Sequence, residues 1–278
     1  MSYILSGFSI DILKSKNGDL EIIEQTGIDL YLFLSQFSTI LVPALIFLFI
    51  FHYKNFKEWV RVKPPKLPVF FALAVLFLLM SYPLIQFSAD INSKLAIAEW
   101  MKDHSEAVEK VTKMLLVFNS PLDLIIRILL IGLLPAIGEE LYFRAGIQNE
   151  LASTFKNPDV AIFITALLFS AFHLQFDGFL PRFFLGLMLG YIYYWSGSIL
   201  VPVLIHFINN SMLIISAYAM RNQLEQLDQL TNETSPQIPL YLLIISMITV
   251  FMLRIQMIKL KKISESPNSI KSENDEQI

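Results

Sequence analysis

The sequence predicts an all-α membrane protein, a polytopic bundle of about seven spanning helices. Its 278 residues are 55% hydrophobic and only 16% charged, whereas soluble domains carry about 25% charged residues. Apolar runs of roughly 16 to 22 residues recur along the whole chain, and about 20 such residues are enough to cross a bilayer. The basic residues gather in short segments between these runs, as they do in cytoplasmic loops.

Composition also excludes several functional classes. The net charge of −3 gives no basic surface for nucleic acid. Because of the long apolar runs, membrane lipid is the expected environment. The chain has no cysteine, which excludes disulfides, thiol nucleophiles, iron–sulfur clusters and cysteine-ligated zinc. Residues 1–20 lack a basic segment before their short apolar piece, so no cleaved signal peptide is expected.

The predicted elements follow from hydropathy and turn signals. Pro83 is expected to kink the second span near its end, and Pro121 opens the third. Residues 96–113 alternate apolar and charged side chains at helical spacing and predict an amphipathic surface helix; if it crossed the bilayer instead, the spans would number eight. The seven predicted spans are 30–51, 67–87, 122–141, 160–176, 180–194, 199–220 and 238–257.

Charge asymmetry predicts the orientation. The 54–66 loop carries five basic residues against the single acid Glu58. Seven spans place this loop and the basic 254–262 segment on the same side, which is the cytoplasmic side, and the acidic 221–237 loop on the other. We therefore expect an integral protein of a bacterial plasma membrane with a cytoplasmic C-terminus. The charged tail from Lys259 is expected to be disordered.

Two adjacent carboxylates, Glu139 and Glu140, follow the third apolar run, and Arg144 lies one turn later. An ionised side chain within hydrocarbon costs at least a few kcal/mol unless it is paired or hydrated. One interpretation is a helix end that emerges into water, with a glutamate bridging Arg144 at helical spacing. The other is a functional site inside the membrane.

Counting residues from the turns predicts a polar layer inside the bundle. If the third helix continues to a turn at 156–159, Glu140 and His173 both lie about 16 residues from that turn, or roughly 24 Å at 1.5 Å per residue. A count along the fifth and sixth spans puts His206 and Asn210 within one helical turn of the depth of His173. Four polar groups from three apolar helices would then share one depth.

The same geometry constrains the residues that follow the carboxylates. Residues 141–154 would share the depth of the fourth span and include Arg144, Gln148, Asn149 and Glu150. Such groups must face the bundle interior or a water-filled cavity. His52 and His104, by contrast, are expected at the surface or the membrane interface.

Three motifs resemble those of the CPBP intramembrane proteases, which include the CAAX prenyl protease 2 type and bacterial lysostaphin-resistance-like proteins. They are Glu-Glu-x-x-x-Arg at 139–144, Phe-x-x-x-His at 169–173 and His-x-x-x-Asn at 206–210, in the order of the family. The resemblance covers about residues 122–220. It divides the chain into N-terminal membrane segments with the amphipathic helix (1–120), a protease-like core (121–220), and a last span with its charged tail (221–278).

The resemblance implies hydrolysis of a peptide bond in a membrane-associated peptide or protein, either CAAX-type or bacteriocin-like. It implies that Glu140 and His173 activate a water molecule, and that His206 and Asn210 stabilise the oxyanion. Glu139 and Arg144 would support these groups. Phe169 is expected only to pack.

The resemblance leaves two mechanisms open. The family was long described as metal-dependent, and Glu140, His173 and His206 could ligate Zn²⁺ with an open position for water. Its lysostaphin-resistance-like and CAAX-type members imply a metal-free glutamate route. We therefore expect no cofactor, with zinc as the alternative.

Two other functional classes fit a buried polar layer. A proton or cation pathway also places glutamate, histidine and asparagine inside a helical bundle, although a transporter typically has broken helices or related halves. A non-catalytic membrane scaffold, such as an immunity protein that binds a peptide or protease, would carry the same residues without splitting a bond.

Overall fold

The computed structural model describes residues 22–221 and 238–266, and within these ranges the chain is helical without strands, which confirms the predicted all-α class. Residues 1–21, the tail after residue 266 and most of the acidic 221–237 loop lie outside these residues. The disorder predicted from Lys259 is wrong for residues 259–264, which continue the last described helix. The described helices are α1 (Ile22–Gln36, Phe37–Leu41 and Val42–His52, continued by Tyr53–Asn55 and Phe56–Val60), α2 (Val69–Ser93), α3 (Glu99–Leu115), α4 (Pro121–Phe155), α5 (Pro158–Phe172), α6 (Phe179–Ser196), α7 (Leu200–Ala219) and α8 (Leu240–Ser264).

Five of the described helices are long and apolar enough to cross a membrane, so the predicted number of seven or eight spans is not confirmed. They are Asp29–Val60, Val69–Ser93, Pro121–Phe155, Leu200–Ala219 and Leu240–Ser264. The predicted fourth span is shorter than expected, since α5 ends at Phe172 rather than at residue 176. Leu174 adopts a left-handed backbone with φ of 56°, which stops the helix.

Two other predicted elements differ from the structure in length. Helix α2 runs past Pro83 to Ser93, six residues beyond the predicted end, because a proline removes one backbone hydrogen bond without necessarily ending a membrane helix. Helix α4 continues through both carboxylates to Phe155, as the depth argument assumed. Asn157 then caps α5 by accepting from the backbone N–H groups of Asp159 and Val160.

Helix α4 lies at the centre of the described bundle. Its second half packs against α1 and α5, and its first half packs against α7. Helix α6 joins α5 to α2, and one apolar cluster with Leu78, Leu189 and Ile205 fixes α2, α6 and α7 together. The carboxylates of α4 therefore face the two helices, α5 and α7, that carry the histidines.

The start of α1 is attached to α4 by a buried ion pair. The Arg127 guanidinium donates to the Asp29 carboxylate, and the Arg127 side chain is completely buried. A charge in an apolar interior needs such a partner. This pair holds the N-terminal helix against the segment that carries the motifs.

A clamp formed by Asn92 of α2 holds the 173–178 loop, which follows His173. The Asn92 amide donates to the carbonyls of Phe176 and Asp177 at 2.8 Å each, and its oxygen accepts from the Leu180 N–H at 2.8 Å. Helix α3 adds a hydrogen bond of 2.9 Å from Ser105 to the Asp177 carboxylate. The Asn92 clamp thus fixes the loop that follows His173, the residue at the end of α5.

We expect Asn92→Ala to lower the free energy of unfolding, because three backbone groups of the loop lose their partner, and each unsatisfied buried group costs about 1–3 kcal/mol. Thermal unfolding in detergent measures the loss, and faster hydrogen exchange of the Leu180 amide localises it. The adjacent, exposed Ser93→Ala is the matched control and should leave both unchanged. Equal effects of the two substitutions would contradict the clamp.

Candidate active site

The adjacent glutamates of α4 occupy different environments. The Glu140 side chain is completely buried, and its Oε2 lies 3.0 Å from Nε of Arg144, which is also completely buried. Its Oε1 lies 2.9 Å from Nδ1 of His206. The four-residue spacing on one helix brings Glu140 and Arg144 together. Oε1 of Glu140 is therefore in a hydrogen bond with His206, and Oε2 is in an ion pair with Arg144.

Glu139 lies instead between two imidazoles. Its Oε2 is 3.9 Å from Nε2 of His173 and 3.8 Å from Nε2 of His206. These distances are longer than a direct hydrogen bond of about 2.7–3.2 Å. They suit three groups that share a small polar molecule, since a water bridges polar atoms across more than about 3.5 Å.

His173 is held at the C-terminal end of α5 by its own helix. Its Nδ1 lies 2.8 Å from the carbonyl of Phe169, which can only accept, so Nδ1 carries the proton of this hydrogen bond. In the neutral ring, Nε2 is then a free acceptor that faces Glu139. The His173 side chain is 27% exposed, against 4% for His206, so the site is open on the His173 side.

His206 of α7 connects the two glutamates. Its Nδ1 donates to Glu140, while its Nε2 faces Glu139. To donate a hydrogen bond to a developing oxyanion from Nε2, the ring must be doubly protonated. The Glu140 carboxylate on the opposite nitrogen would balance that positive charge.

Asn210 lies one turn after His206 on α7. Its Oδ1 accepts from the Asn209 amide at 3.4 Å, which leaves the Asn210 Nδ2 as its donor end. The Asn209 oxygen accepts from the Tyr82 hydroxyl at 3.3 Å. Within the described residues, no hydrogen bond joins Asn210 to the glutamates or histidines.

Phe169 lies at the centre of the site, in a larger role than the packing expected from the sequence. The Arg144 guanidinium stacks over its ring at 5.0 Å, and the rings of His173 and His206 lie 5.1 and 5.9 Å from it. This one aromatic ring thus contacts the buried cation and both imidazoles. Its position four residues before His173 was the sequence signal for a shared helix face.

The polar residues that follow in α4 mostly face the interior, as the depth argument required. Arg144 and Gln148 are buried, and the Asn149 amide donates to the Trp59 carbonyl and the Tyr193 hydroxyl at 2.9 Å each. Glu150 is half-exposed and lies 2.6 Å from Nε2 of His52. His52, which was expected at the surface or the membrane interface, has a side chain that is 13% exposed and stacks on Trp59 at 3.8 Å.

The predicted zinc ligands Glu140, His173 and His206 do not converge. Glu140 faces Nδ1 of His206 and Arg144, and no contact within 4.0 Å joins it to His173. Across the described ranges, no group of three or more His, Cys, Asp or Glu side chains is placed to hold a metal ion. Among the described residues, the three predicted ligands therefore do not meet at one point, and the choice between the metal-free route and zinc stays a prediction.

Comparison with known families agrees with the motifs. Residues 121–212, about a third of the chain, match the family described as "Type II CAAX prenyl endopeptidase Rce1-like". No curated protein and no solved structure matches the chain. The matched range runs from the start of α4 into α7 and contains all three motifs. This match supports the membership in the CPBP family that the three motifs suggested.

Proposed function

We propose that this chain hydrolyses a peptide bond in a membrane-associated peptide or protein, CAAX-type or bacteriocin-like, and that Glu139 is the base that activates water. The observation that carries the proposal is the position of Glu139 between Nε2 of His173 and Nε2 of His206, at 3.9 and 3.8 Å. Glu140, which the family resemblance had suggested for this task, instead contacts His206 through Oε1 and Arg144 through Oε2.

The proposed reaction begins with a water molecule hydrogen-bonded to Glu139 and His173. Glu139 accepts a proton as the water oxygen forms a bond to the peptide carbonyl carbon. His206 and Asn210 donate hydrogen bonds to the carbonyl oxygen, on which negative charge develops. The proton held by Glu139 then passes to the amide nitrogen, the C–N bond breaks, and a carboxylic acid and an amine leave.

Glu140 and Arg144 support the site in this proposal. Glu140 orients His206 by accepting from its Nδ1, so that Nε2 faces the substrate. Arg144 neutralises the buried carboxylate and is itself packed on Phe169. The two glutamates thus exchange the roles that the sequence suggested for them.

Glutamine substitutions separate the role of base, proposed for Glu139, from the supporting role proposed for Glu140. Glu139→Gln should lower kcat/KM by about 10²–10⁴, the usual contribution of a general base, without changing thermal stability. Glu140→Gln should instead destabilise the fold by about 3–5 kcal/mol, because Arg144 is left as an uncompensated buried charge. Cleavage of a peptide library by purified variants, with thermal unfolding in parallel, measures both.

The opposite pattern would contradict the assignment. A stable but inactive Glu140→Gln beside an active Glu139→Gln would return the role of base to Glu140. If the folded wild-type protein cleaves no member of the library, an ion pathway or a scaffold becomes the better account of the polar layer.

Substitutions in α7 test which side chains donate to the oxyanion. Asn210→Ala should lower kcat by about 10²–10³, the usual cost of removing one oxyanion donor, with little change in KM. Asn209→Ala is the comparison variant. The Asn209 oxygen accepts from the Tyr82 hydroxyl and its amide only donates to Asn210 at 3.4 Å, so this substitution should lower kcat much less. Equal losses in both variants would point to a general disturbance of α7 instead.

Removal of metal ions tests whether activity requires zinc. Since the predicted ligands Glu140, His173 and His206 do not converge, we expect activity to survive prolonged dialysis against a strong chelator, and elemental analysis to find no stoichiometric zinc. Loss of activity on chelation with recovery on adding Zn²⁺ would contradict the metal-free route.

A further inference from the structure

A row of buried polar atoms extends from the candidate active site along one side of α4. Glu140, Arg144 and Gln148 follow each other at four-residue intervals, and all three are buried. Among the described residues, no hydrogen bond reaches Oε2 of Glu140, the guanidinium nitrogens of Arg144 or Oε1 of Gln148. The contact between Arg144 and Glu140 is close but lacks hydrogen-bond alignment.

Helix α5, which packs against α4, contributes one more buried polar atom without a hydrogen-bond partner, the Thr165 hydroxyl. Its Phe169 stacks on Arg144, and its Ile162 lies with Gln148 beside Gly190 of α6. Thr165 lies between these two positions on the same face of α5. Its side chain is 1% exposed, and its hydroxyl has no hydrogen-bond partner among the described residues. The row therefore has polar atoms on two helices.

Gly190 leaves room for the Gln148 amide. A Cβ at this position would lie 2.9 Å from Oε1 of Gln148 and 2.9 Å from a methyl of Ile162. The Gln148 Nε2 donates to the Gly190 carbonyl at 3.1 Å. The amide is thus fixed at one end, and its oxygen is presented to the interior without a protein donor.

Gln148 also lines a pocket at the end of the bundle that carries the basic 54–66 loop. The pocket has a volume of about 70 Å³, more than the roughly 30 Å³ that a water molecule occupies in the liquid. Its rim is half-exposed, whereas Gln148 and Tyr193 are buried at its inner end. It is lined by Arg61, Gln148, Asn149, Ala152, Pro158, Tyr193 and Tyr194.

We propose that this row is a file of buried water molecules. It runs from the pocket past Gln148, Thr165 and Arg144 to the Glu140–His206 pair. Each buried polar atom without a partner costs about 1–3 kcal/mol, and internal water supplies the missing hydrogen bonds.

The file gives the site a second connection to solvent, separate from the opening at His173. A bound peptide would cover the His173 side, whereas hydrolysis still requires protons to enter and leave. His206 joins the file to Glu139 through its two ring nitrogens. This role in proton exchange depends on the proposed peptidase activity, but the hydration itself does not.

The absence of cysteine allows a direct test. Single variants Gln148→Cys, Ala152→Cys and Ala145→Cys are exposed to Ag⁺, a probe close to water in size, and the remaining thiol is then counted by alkylation after denaturation. Gln148→Cys should react nearly as completely as Ala152→Cys at the pocket rim. Ala145→Cys, from the same stretch of α4 but packed in the apolar cluster with Leu48 and Val60, should stay unreactive.

The result that would overturn the file is a Gln148→Cys thiol as protected as that of Ala145→Cys in a folded protein. If Gln148→Cys does not fold, Thr165→Cys replaces a hydroxyl with a thiol of similar size and carries the same expectation. The thiol measurements require no turnover. They therefore test the hydration of the row whether or not the proposed peptidase activity is correct.

A kinetic comparison tests the proton role. Thr165→Val removes the hydroxyl at nearly constant volume and should lower kcat with KM unchanged, whereas Thr165→Ser should restore kcat. Full activity in Thr165→Val would overturn the proton role of the file.

Discussion

The buried contact between Glu140 and Arg144 is the constraint on which the site depends. Both side chains are completely shielded from solvent, and either charge alone would destabilise the bundle by several kcal/mol. The pair therefore has to form when α4 packs, and it brings Phe169 over the guanidinium and His206 onto the carboxylate. Glu139, one residue earlier, faces the open side, and within the described ranges no lysine or arginine lies within 4.0 Å of its carboxylate.

This arrangement explains why two adjacent acids occur where one would suffice for chemistry. One carboxylate neutralises the arginine and orients an imidazole, and the other stays available for a water molecule. Two π-helical stretches, Ile128–Leu133 and Leu141–Gln148, flank the short α-helical segment Leu134–Glu140, which carries both acids. Such widened turns are frequent at functional sites, since they change which side chains share a face.

Hydropathy, turn residues and motif spacing predicted the all-α class, the continuation of α4, the reversal at Asn157 and the helices that carry both histidines. They did not distinguish Glu139 from Glu140, because adjacent residues differ by about 100° around a helix and only contacts with α5 and α7 decide which one faces the opening. The Asn92 clamp and the Asp29–Arg127 pair were also beyond prediction, since each joins residues more than 80 positions apart. The number of spans is not confirmed, because α5, which ends before Leu174, and α6 are not among the five helices long and apolar enough to cross a membrane.

The central claim is that Glu139 and His173 hold the attacking water. An experimental structure at a resolution that shows ordered solvent, with a non-cleavable peptide bound, tests it most directly. We expect one water within hydrogen-bond distance of both the Glu139 carboxylate and Nε2 of His173, with the peptide carbonyl oxygen facing His206 and Asn210. A water or metal ion bound to Glu140, with Glu139 turned away from the peptide, would contradict the account.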